Sequence, residues 1–127
     1  MAQHTHSIPL TMDYIEISVT DMPAAREFYG SAFGWTFTSY GDGYADTSDS
    51  GVALGLNGSP DATQQAAPLT VLFVDDLEAA RARVTDSGGT IRHDIYGFPG
   101  GRRFHFVDPA GNELAVWSHD PAGSTAS

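Results

Sequence analysis

Two stretches of this 127-residue chain carry side chains that could do chemistry. The stretch GRRFHFVDPAGNELAVWS, residues 101–118, alternates like two short strands around a tight turn and carries Arg103, His105, Glu113 and Trp117. Near the start, YIEISV at 14–19 alternates in the same way. Its period of two puts Tyr14, Glu16, Ser18 and Thr20 on one face and Ile15, Ile17 and Val19 on the other. Glu16 and His105 could serve as an acid/base pair, and Arg103 could neutralise an anionic group. Tyr14, Phe73 and Trp117 offer flat surfaces on which a ring could stack. A structural account is equally open: Glu16 and Arg103 as an ion pair, His105 as a hydrogen-bonded core histidine, and Trp35 and Trp117 as core or dimer contacts.

The elements that must position these groups follow from an internal repeat. VTDMPAAR at 19–26 aligns with VDDLEAAR at 74–81, identical at five of eight positions with an offset of 55 residues. Each copy follows an apolar strand pattern and places an Asp, Asp21 or Asp76, where a carboxylate can cap a helix N-terminus. The first helix is expected to group Ala25, Phe28, Tyr29 and Ala32 on one face and to stop at Gly34. The second groups Leu77, Ala80 and Val84 and stops at Gly88 and Gly89. Three strand-like stretches follow each helix: WTFTSY, GYADT and GVALGL, then GTIRHDIY, RRFHFV and NELAVWS. The unit is therefore βαβββ, twice, in an α+β fold. NGSPDATQQAAP at 57–68 reads as the linker. FPGG at 98–101 reads either as a flexible lip over a ligand or as a plain hairpin loop, Asp108 and Asn112 fix a turn, and His93 and His119 read as surface residues.

These motifs resemble the vicinal oxygen chelate superfamily, the glyoxalase, bleomycin-resistance and extradiol-dioxygenase group. The similarity rests on VTDMPAAREFYGSAFGW and FHFVDPAGNELAVW and spans Tyr14 to Ser118. It implies two βαβββ modules, residues 12–57 and 69–119, in a single domain at 12–120, with the sheets curled into a cup and the helices outside. It also points Arg103 and His105 into that cup and implies a homodimer. The family's metal enzymes are implied to hold an ion with four ligands, and the matching positions here are Tyr14, Gly55, Leu69 and Ala115. No familiar cage of N, O or S donors can form from those four, so neither metal nor other cofactor is expected. An atypical set of Glu16, His105 and Glu113 stands as the alternative.

Composition narrows the function further. Six arginines, no lysine and sixteen acids give a net charge of −10, which disfavours nucleic acid as a partner. Without cysteine there are no disulfides and no thiol chemistry. The Ca²⁺-like run DTSDSG at 46–51 lacks the remainder of a twelve-residue ligand loop. No phosphate-binding, nucleophile-elbow or dinucleotide motif is present. No leader or membrane-length apolar run is read, so a cytoplasmic location is expected, with disordered ends at 1–11 and 121–127. Two function classes survive. One is a protein binding a small organic molecule in a metal-free cup. The other is a cofactor-free lyase, isomerase or epimerase with Glu16 or His105 as base. The expected ligand contacts are Tyr14, Ser18, Phe73, Arg103, Glu113 and Trp117.

Overall fold

A computed structural model describes residues 8–59 and 67–119. The expectations for residues 1–7, for the tail at 121–127 and for most of the 57–68 linker fall outside those residues, as do His4 and His6; of the end expected to be disordered at 1–11, residues 8–11 are described, and Thr11 opens the first strand. The described residues form eight strands and two helices and divide into two compact units. The first unit runs from Tyr14 to Leu69, and the second holds Thr70 onward together with the segment ending at Asp13.

In the first unit, β1 (Thr11–Ser18) leads to α1 (Met22–Phe33), then β2 (Thr38–Ser39), β3 (Tyr44–Thr47) and β4 (Ala53–Asn57). Its strands lie in the order β2-β3-β4-β1, with β4 parallel to β1 and the other pairs antiparallel. The Asp21 carboxylate accepts from the Ala24 N–H at 3.0 Å, which satisfies a donor of the first helical turn. Gly34 closes the helix in the left-handed conformation, φ +76°. Met22, Ala45, Leu54 and Leu56 form the buried core, and Ile15, Ile17, Val19, Ala25 and Tyr29 pack on it. The alternation of β1 is thus realised, with its isoleucines toward the helix.

Two local expectations are corrected here. Phe28 does not join the buried stripe: it is 58% exposed, because the stripe runs through Met22, Ala25 and Tyr29, and Phe28 stands about 100° around the helix from Tyr29. The strand expected over 35–40 shrinks to Thr38–Ser39. Asp49 accepts from both the N–H and the hydroxyl of Thr36, at 2.9 and 3.0 Å, so that residue bonds to a loop rather than to a ladder. Trp35 and Phe37 then pack toward Tyr29 in the α1 core.

The second unit repeats this plan with β5 (Leu69–Phe73), α2 (Leu77–Asp86), β6 (Thr90–Phe98), β7 (Gly101–Val107) and β8 (Glu113–His119). The order is β5-β8-β7-β6, with β8 parallel to β5. Asp76 caps α2 through the Ala79 N–H at 3.0 Å, reproducing the Asp21 cap 55 residues later. Leu77, Ala80 and Val84 pack on Val74, Phe104, Val116 and Phe106 as the helix-side core. Arg102, on the same side of β7, makes a bidentate contact with Glu78 of α2 at 2.7 and 3.1 Å. FPGG is the hairpin: Phe98 pairs with Gly101, and Pro99-Gly100 turns the chain, with Gly100 at φ +98°.

β6 departs from simple alternation. Its pairing with β7 shifts register between Ile91 and His93 and again between His93 and Tyr96. Ile91 and Ile95 both pack toward α2, yet His93 pairs with His105 and Tyr96 with Arg103. The irregularities therefore turn His93 onto the face away from the helix, the face that Tyr96 occupies. Asp94, between them, is held by Arg81 of α2 and by the Ile95 N–H, the latter at 2.7 Å.

Candidate functional site

In the first unit the face of β1 opposite α1 carries a buried polar chain. Tyr14 is 0% and Glu16 2% exposed. The Tyr44 hydroxyl donates to Glu16 Oε2 at 2.9 Å and lies 2.6 Å from the Tyr14 hydroxyl. Since the single Tyr44 proton points to the carboxylate, Tyr14 donates to the Tyr44 oxygen. Burial first, and the adjacent Glu16 charge second, push the Tyr44 phenol far above its ordinary range, so it remains a donor. Gly55 on β4 faces Glu16 in the ladder. A β-carbon there would sit 2.1 Å from the Tyr44 hydroxyl and 2.2 Å from that of Tyr14. The glycine is thus a notch that both hydroxyls fill. Ser18 is half-buried near the end of the same strand, paired with Asn57.

In the second unit, Arg103, His105, Glu113 and Trp117 share the face of β7 and β8 away from α2, through the pairs Arg103 with Trp117, His105 with Ala115 and Val107 with Glu113. His105 Nδ1 lies 2.8 Å from Glu113 Oε2, and its Nε2 lies 3.0 Å from the Tyr96 hydroxyl. Arg103 Nε donates to that same hydroxyl at 2.5 Å, and its guanidinium carbon lies 5.7 Å from the Tyr96 ring centre. Burial is the main influence lowering the His105 pKa below its ordinary value; Arg103 and His93 add to this, and Glu113 opposes it. The neutral ring donates from Nδ1 to the acceptor-only carboxylate and accepts at Nε2 from Tyr96. This Glu–His–Tyr chain can take up or deliver a proton, and Arg103 beside it can neutralise a negative group.

Phe73 and Trp117 are brought together, ring centres 5.1 Å apart, but Trp117 is only 1% exposed and its Nε1 donates to Asp13 at 3.2 Å. It forms the floor of this face. His119 lies edge-on to Trp117 at 4.8 Å. Asp108 accepts from the Ala110 and Asn112 N–H groups, both at 2.9 Å. Of the groups beside the acid/base chains, Tyr44, His93 and Tyr96 carry no mark in the sequence. The strand glycine Gly55 is the one sequence signal that something must approach β4 closely.

The four positions that the resemblance assigns to a metal cage do not fit one. The Tyr14 hydroxyl is taken up by Tyr44. Leu69 and Ala115 have no donor atom in the side chain, and Gly55 has no side chain at all.

The sequence model of the Glyoxalase/Bleomycin resistance protein/Dioxygenase superfamily matches residues 11–116, and the chain belongs to that superfamily. It is 30% identical over 135 aligned positions to the anthracycline biosynthesis protein DnrV of Streptomyces peucetius, with 89% of this chain and 48% of that protein covered. The chain spans about half the length of the curated relatives it matches. Among solved structures it is similar to the methylmalonyl-CoA epimerase of Mycobacterium tuberculosis, with TM-score 0.67, 17% identity and 94% of each chain covered. It is also similar to the Mn(II)-bound glyoxalase of Novosphingobium aromaticivorans, with TM-score 0.60, 22% identity, and 84% of this chain and 38% of that one covered. These structures share the α+β fold. Among the described residues no helix is long and apolar enough to cross a membrane.

Proposed function

We propose that this protein binds a small organic anion carrying an aromatic or carbonyl group on the β6–β8 face, without the family's four-ligand cage. The observation that carries the reading is the Tyr96 hydroxyl shared between Arg103 and His105, above the Phe73–Trp117 floor. The helix-side face of the same strands is apolar, built on Phe104, Val116 and Ile95. Buried ionisable groups cost free energy that an apolar packing would not, so a polar face here supports a role in recognition. Arg103 supplies the positive charge, and Glu113 holds the ring plane of His105. Glu16, Tyr14 and Ser18 form the polar face of the first unit and belong to the same reading, as does assembly into a cytoplasmic homodimer.

The Glu113–His105 contact favours a second reading, in which His105 removes a proton beside the ligand's carbonyl, as a cofactor-free lyase, isomerase or epimerase would. The two are separated by turnover. Deuterium incorporation next to the carbonyl of 2-oxo acids, above the buffer rate and lost in His105→Gln, supports the enzyme. Binding without exchange supports the binder. In the enzyme reading Glu16→Gln also tests Glu16: an unchanged rate removes it as the base.

A further inference from the structure

The cluster that the organic-ligand reading leaves unexplained is His93. It is exposed, yet the bulged path of β6 aims it at the buried His105, with ring centres 4.9 Å apart and planes at 86°. Ligating atoms of His93, His105 and Glu113 all lie within 4.8 Å of one another. We infer that these three residues, one from each of β6, β7 and β8, form a site for a zinc-type divalent ion, separate in its residues from Tyr14, Gly55, Leu69 and Ala115.

The donor set decides the class of ion. Two imidazole nitrogens and one carboxylate oxygen suit Zn²⁺ and its neighbours rather than Mg²⁺ or Ca²⁺, which take oxygen ligands. Three protein ligands leave a fourth tetrahedral position open to water or to an oxygen of a bound molecule. The His105–Glu113 pair requires little movement. Two ligands at about 2.0–2.1 Å from a tetrahedral ion stand about 3.3 Å apart. The present 2.8 Å between His105 Nδ1 and Glu113 Oε2 therefore opens by a few tenths of an ångström. His93, exposed, swings inward to close the triangle.

The ion takes the place of the hydrogen between Nδ1 and Oε2. The ring proton then resides on Nε2, where the Tyr96 oxygen can accept it, the kind of outer contact that fixes a ligating histidine's tautomer. Placing His93 opposite His105 also needs the register shift in β6. In unbroken alternation His93 would share the α2 side with Ile91. A network serving only to satisfy His105 has its partners already in Glu113 and Tyr96 and gains nothing from that bulge.

The test is titration of the chelator-treated full chain with Zn²⁺ against a chromophoric competitor, repeated with Co²⁺ to read the coordination spectrum. One ion per chain is expected, with affinity falling at least tenfold in His93→Ala and in Glu113→Gln. The spectrum should show nitrogen and oxygen ligands in a four-coordinate field. His93 is exposed, so its replacement leaves the core untouched, and circular dichroism checks that both variants fold. A doubly substituted His4→Ala/His6→Ala chain should bind as tightly as the parent. Absence of stoichiometric binding, undiminished affinity in His93→Ala, or loss of binding in the terminal double variant would each overturn the proposal. None of these outcomes bears on recognition of the organic anion, which is tested at Arg103 and Tyr96, whereas an ion held on His105 Nδ1 would remove that ring as the base of the second reading.

Discussion

At the scale of single residues, the polar faces depend on contacts without slack. Gly55→Ala would drive a methyl into the Tyr14 and Tyr44 hydroxyls, and should destabilise the protein by about 1–3 kcal/mol in chemical denaturation. Tyr44→Phe should relieve little of that strain and removes the hydroxyl that donates to Glu16 Oε2. His105 gives a pH signature. Its folded-state pKa lies below the ordinary value, so below about pH 6.5 the unfolded chain binds the proton first. Its contribution is therefore present above that pH and lost as the pH falls toward its folded-state pKa. Thermal unfolding across this range should show stability rising with pH, and the slope should shrink in His105→Gln. In the sequence, strand parity singled out Glu113, and the family resemblance singled out His105. The sequence could not expose Tyr44, whose role depends on a partner 28 residues away across β4.

At the scale of elements, the repeat was legible because it is written in caps and periodicity. Asp21 and Asp76 each bond to the third residue ahead at 3.0 Å, as their types and positions predict. Asp76→Ala should cost about 1 kcal/mol by loss of that cap. Glu78→Gln should cost less than about 1 kcal/mol, because its pairing with Arg102 is solvent-exposed on the Glu78 side. Both are measured by the denaturant midpoint. β6 was less legible. Ile91, His93 and Ile95 alternate as one apolar-facing row would, and His93 therefore reads as an ordinary surface position. The inserted residues that turn it toward His105 change register without changing composition, so no period reveals them. β2 failed for a different reason: WTFTSY has strand composition, but Asp49 captures Thr36 and the aromatics serve the α1 core.

At the scale of the whole molecule, the two βαβββ units were legible in the repeat, membership of the superfamily rests on the match over residues 11–116, and assembly depends on surface. In the sequence, Phe98, Phe104, Phe106 and Trp35 read as an apolar surplus that a dimer patch could bury, yet these rings pack within their own units, Phe98 with its ring centre 6.2 Å from that of Trp117. Phe104 is fully buried, Phe106 packs beside it, and Trp35 stacks on Tyr29 at 5.6 Å. Phe28 and Phe33, 58% and 60% exposed on α1, are more exposed than any other large hydrophobic ring among the described residues. The proposed homodimer predicts twice the chain mass in sedimentation at micromolar concentration; a single-chain mass contradicts it. The central claim, recognition of an organic anion by the Arg103–Tyr96–His105 face, is tested most directly by calorimetric titration. The ligands would be a panel of aromatic carboxylates and 2-oxo acids, against the parent chain, Arg103→Gln and Tyr96→Phe. We predict saturable binding to the parent that weakens about tenfold or more in Arg103→Gln, the loss expected for one charge-assisted contact, and weakens measurably in Tyr96→Phe. If no member of the panel binds the parent more tightly than either variant, the assignment of this face as the ligand site is wrong.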